Sequence, residues 1–125
     1  MSQMNDSSNA LRELQRFLKV AESYHDETGN QAFMPVCLVD TQWHQLLNSK
    51  SSEYKDFCQN AVGRDIRHMP AKGKGNIQWT RTYEKLYGPL PEIWFSNVDG
   101  SLDEASQKKY IDTGVFYASW DCVPL

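Results

Sequence analysis

No stretch of this sequence approaches the roughly 18–20 apolar residues in a row that a membrane-spanning helix needs. An excess of positive charge is also lacking: 13 Lys and Arg stand against 16 Asp and Glu, a net charge of −3. Dedicated nucleic-acid binders rest their affinity on a basic face, so that class of partner is not expected. Cysteine is sparse. Cys37, Cys58 and Cys122 are odd in number, widely spaced and form no Cys-x-x-Cys, which argues against a disulfide framework and against a zinc ribbon or knuckle. Each reads first as a small buried hydrophobe with a free thiol. Met1–Asn9 is polar and acidic, so neither a secretory nor a transit signal fits, and a cytoplasmic location is expected. Internal repeats and low-complexity runs are missing as well.

What is present is apolar surface. Hydrophobic residues make up 40% of the chain and aromatics 12%, enough to offset the entropy of ordering one core. A length of 125 residues suits a single domain. The expectation is a disordered 1–8 followed by one domain over 9–125. Its class is mainly α, a bundle of about four helices with an irregular, aromatic-rich extension over 96–125 that leaves room for a short strand.

The helices are read from spacing. Leu11, Leu14, Phe17, Leu18, Ala21 and Tyr24 recur every three or four residues after a capping Ser8 or Asn9, and Thr28-Gly29-Asn30 ends the run. Pro35 is expected to open a second helix that buries Val36, Val39, Trp43, Leu46 and Leu47. Ser51 or Ser52 caps a third, which carries Tyr54, Phe57, Cys58 and Ala61 and stops at Gly63. Arg64–Gly75, with Pro70, Gly73 and Gly75, reads as a basic loop. A fourth helix over Asn76–Tyr87 ends at Gly88-Pro89-Leu90-Pro91. Ile93-Trp94-Phe95 reads as an extended anchor over the bundle, and Leu102–Tyr110 as a weak helix opened by Ser101 or Asp103. Gly114–Trp120 is a short strand or a packed coil.

The chemistry-bearing residues concentrate between Asp40 and His68. Asp40 and His44 are four apart, so on a helix they share a face and the carboxylate can orient or charge the imidazole. A third helix running back antiparallel can bring Tyr54 and Cys58 near them, and His68 in the following loop can fold over the same end.

In order and spacing, Asp40, Trp43, His44 and Leu47, then Tyr54, Phe57 and Cys58, then Gly63, His68 and Pro70, then Tyr83, Tyr87, Gly88, Pro91 and Trp94 form one pattern. It resembles the short bacterial relatives of the plant glycine-rich domain-containing proteins, over about residues 35–95. The resemblance implies a bacterial source and a domain family of unknown function, and it supplies no reaction. Members often carry a second histidine where this chain has Leu46, and a His-His pair where it has Arg67-His68. A multi-histidine metal site in relatives would therefore be depleted here.

The leading expectation is a non-catalytic binding or accessory protein that recognises another protein, of inhibitor or immunity type, with no cofactor. The alternative is a metal-binding protein or metal-dependent enzyme centred on His44 and His68, with Asp40 or Cys58 as a further ligand and zinc or iron as the ion. Cys58 as a nucleophile with His44 or His68 as base is the weaker enzyme reading, because it sits on an apolar helix face. Arg64, Arg67, Lys72 and Lys74 are candidates for holding an anion or a partner. Trp43, Tyr54, Phe57, Tyr83 and Trp94 are the expected core.

Overall fold

The strand at the middle of the sheet comes last in the order of elements. A computed structural model describes residues 6–125, in the order α1 (Asp6–Thr28), β1 (Met34–Pro35), α2 (Leu38–Leu47), α3 (Ser51–Val62), β2 (His68–Asn76), α4 (Thr80–Tyr87), a 3-10 turn (Glu92–Phe95), α5 (Glu104–Thr113) and β3 (Tyr117–Pro124). The sheet is antiparallel with order β1-β3-β2. Among the described residues no helix is long and apolar enough to cross a membrane.

This corrects the expected mainly-α bundle. Five helices account for 55% of the chain and a three-stranded antiparallel sheet for 18%, so the fold is mixed α/β. The basic segment expected as a loop is strand β2, paired along β3 from His68 opposite Pro124 to Asn76 opposite Tyr117, with an irregularity between Pro70 and Gly73. Its Lys-Gly-Lys-Gly run lacks the branched and aromatic residues that mark strands in a sequence. Packing explains the glycines. A Cβ on Gly73 would lie 2.5 Å from the Trp120 ring, and Trp120 in turn stacks on Phe33 at 4.5 Å. The C-terminal extension is correspondingly ordered, as α5 and the central strand.

Smaller boundaries shift for local reasons. Residues 6–8 already belong to α1, and the expected disorder over 1–5 lies outside the described residues. Pro35 pairs with Trp120 in β1 rather than opening α2, which starts after Cys37. α4 begins at Thr80, because Asn76 is held by β3. Ile93-Trp94-Phe95 forms the 3-10 turn instead of an extended anchor. Asp103 caps α5, its carboxylate accepting from the Ser106 amide at 3.1 Å.

α1 is the hub of the helical layer and packs against α2, α3, α4 and the 3-10 turn. Its Leu14, Phe17, Leu18 and Val20 are buried against Trp43, Trp79, Tyr83 and Trp94, with Phe17 edge-on to Trp79 at 5.4 Å. One charge enters this core. Glu13 is fully buried and accepts from the Tyr83 hydroxyl, the Trp94 indole N–H at 3.0 Å, Arg16 at 3.2 Å and Arg12 at 3.3 Å. Four donors for one carboxylate compensate its lost hydration.

Candidate metal centre

α2 presents Asp40 in its first turn and His44 one turn later, so both reach the sheet end of the helix layer. Asp40 is buried, 5% exposed, whereas the His44 side chain is 42% exposed. Their Oδ1 and Nε2 atoms are 3.4 Å apart. His68 opens β2 and brings its Nε2 to 3.2 Å from that of His44. Cys122, fully buried on β3, donates its S–H to Asp40 Oδ1 at 3.3 Å. Asp121 stands beside it, and its buried Oδ1 has no hydrogen-bond partner among the described residues.

Two overlapping sets of donor atoms result. His44, His68 and Cys122 form one and Asp40, His44, Asp121 and Cys122 the other, with all atoms of a set within 4.8 Å of one another. Ligands about 2.0–2.3 Å from a tetrahedral ion stand about 3.3–3.8 Å apart, and the His44–His68, His44–Asp40 and Cys122–Asp40 contacts of 3.2, 3.4 and 3.3 Å lie near that range. His44 Nε2 faces both Asp40 Oδ1 and His68 Nε2, yet a ring nitrogen carries at most one proton. Among the described residues, Asp121 Oδ1 meets no donor.

The electrostatics follow from packing the Asp40 carboxylate and the Cys122 thiol out of water beside the half-buried Asp121. Burial, then the nearby Asp121 carboxylate, push Asp40 up to about 6 against the opposing effect of the Cys122 thiol and His44. Burial and then the same two carboxylates push the Cys122 thiol far up. Burial, with His44 beside it, lowers His68, and Asp121 partly offsets this. A divalent cation reverses each of these penalties at once, because it replaces both lost water and missing protons.

Of the residues singled out in the sequence, Asp40, His44 and His68 come together. Cys58 does not belong to either donor set; it is buried on α3 beside Tyr54. The thiol at the centre is Cys122, and neither it nor Asp121 was singled out. Their one sequence signal was an Asp-Cys pair following a run of strand formers. The basic candidates stay dispersed. Arg64 is paired with Glu22 at 2.6 Å, the Arg67 backbone pairs with Leu125, and Lys72 and Lys74 are exposed on β2. Trp43, Tyr83 and Trp94 are fully buried, while Tyr54 and Phe57 are half-buried. Comparison of the chain with protein-family models, with curated proteins and with solved structures finds no match.

Proposed function

We propose that the protein binds a transition-metal ion, zinc or ferrous iron, through His44, His68 and Cys122, with Asp40 and Asp121 completing or flanking the coordination. One observation carries this reading: donor side chains from α2, β2 and β3 gather in two overlapping sets that share His44 and Cys122, each with its donor atoms within 4.8 Å of one another, and among the described residues one buried carboxylate oxygen there has no partner. Mixed nitrogen, sulfur and oxygen donors suit zinc and iron better than calcium or magnesium, which prefer oxygen alone. The pieces on which the family resemblance rests, Asp40–His44 and His68, lie at this centre. The histidines missing at Leu46 and Arg67 do not deplete it, because β3 supplies Cys122 and Asp121. The residues named for holding a partner, Arg64, Arg67, Lys72 and Lys74, do not gather into one patch, so the geometry favours the metal over protein recognition.

The half-exposed His44 leaves one side of the ion open to water or an incoming ligand. That arrangement suits a reactive or exchangeable ion more than a sealed structural one. Protein purified without an affinity tag, stripped with chelator and titrated with zinc should take up about one ion per chain. Cys122→Ala and His44→Ala should lose that binding, whereas Cys58→Ala should keep it. A folded wild-type chain that takes up no zinc or iron would remove the proposal.

A further inference from the structure

His68 approaches His44 from a different element, so the spacing between α2 and the start of β2 must be fixed by something other than either residue's own backbone. Trp43 and Tyr54 span that gap. The Trp43 indole N–H donates to the Tyr54 hydroxyl at 3.1 Å, and that hydroxyl donates to the Ile66 carbonyl at 2.7 Å, two residues before His68. The Trp43 ring, adjacent to His44 in the chain, meets the His68 imidazole edge-on at 4.7 Å and 88°. Trp43 itself is fully buried and cannot turn away.

We propose that Tyr54 is a positioning residue for the metal centre: with Trp43 it braces α2, through α3, against the start of β2 and holds His68 at coordinating distance from His44. The inference rests on the metal reading above. Neither residue is a ligand. Their effect is to restrict where the His68 backbone sits and which way its ring can turn, so that less freedom is lost when the ion arrives. It also gives Tyr54 and Trp43 a role that the core alone does not require, since a half-buried phenylalanine would fill the place of Tyr54 as well.

Cobalt(II) is the probe, because its visible bands report coordination geometry and its charge-transfer band reports a thiolate ligand. Wild type, Tyr54→Phe and His68→Ala are titrated with cobalt, with circular dichroism as the check on folding. Tyr54→Phe should keep the thiolate band from Cys122, bind about 10- to 100-fold more weakly, and shift its visible bands toward those of His68→Ala. Binding within twofold of wild type with unchanged bands overturns the positioning role, even if the melting temperature falls, and leaves the metal reading standing. A wild-type protein that gives no cobalt spectrum overturns both. Should Tyr54→Phe fail to fold, Trp43→Phe keeps a ring against His68 while removing the indole donor; it should show the same weakening, and unchanged binding there overturns the role equally.

Discussion

Asp40 holds a carboxylate where water barely reaches it, next to a second carboxylate and a thiol. Without a cation that placement is costly, and the cost depends on pH. The folded-state value is raised from 3.8 to about 6, so between those values the folded chain binds more protons than the unfolded one. Stability from this group is therefore greatest at low pH and falls as pH rises through about 6, with a constant penalty above. Asp40→Asn should stabilise the metal-free protein by about 1–3 kcal/mol at pH 7.5 and by about half as much at pH 5. Denaturant unfolding in chelator at the two pH values measures this; a gain that does not change with pH would refute it. With zinc present the sign should reverse, since the substitution then removes a partner of the ion.

The same scale decides what could be read in advance. Asp40 and His44 were legible because four residues make one helical turn, and that relation is local. Cys122 was not, because its neighbour Asp40 is 82 positions away and no periodicity encodes such a distance. Cys58 occupied the thiol role in the sequence reading because it lies nearer in the chain. Proximity along a chain is a poor guide to proximity across a sheet.

At the scale of elements, β2 is the instructive case. Strand propensity opposes it, and pairing with β3 imposes it, as tertiary context commonly does. The helices α1 and α3 were legible from their apolar stripes and from Gly29 and Gly63 at their ends, both in the left-handed region. Gly73 has a different reason to be glycine: the Trp120 ring lies where a side chain would go. Gly73→Ala should therefore cost about 1–3 kcal/mol, the usual penalty for overpacking. In a Trp120→Ala background the penalty should largely vanish, and denaturation of the four chains of that cycle measures the coupling. Equal costs in both backgrounds would mean that the backbone, not the ring, requires the glycine. β2 is also an edge strand, and its exposed Lys72 and Lys74 and its Pro70 discourage pairing with another chain along that edge.

For the whole molecule, the proposed metal centre is a junction between two layers. α2 belongs to the helices gathered round α1, whereas His68 and Cys122 belong to the sheet. An ion held by both should make them unfold together. At zinc concentrations about 100-fold above Kd the gain is about 2.7 kcal/mol, or about 10 °C in melting temperature for a chain of this size. Helix content by circular dichroism and tryptophan fluorescence should shift by the same amount. A shift confined to one probe would mean that the ion stabilises only one layer.

The place of β3 has a consequence in time. It follows the other described elements along the chain, yet it sits between β1 and β2, so neither outer strand has its sheet partner until it emerges. A growing chain that has reached α5 carries Asp40, His44 and His68 but lacks the thiol and the second carboxylate that complete the centre. Such a chain lacks part of the proposed donor set, and its long-range pairing waits on one late closure. If the ion binds as proposed, its capture waits on the pairing of β3: the ion would report a closed sheet rather than guide an early one.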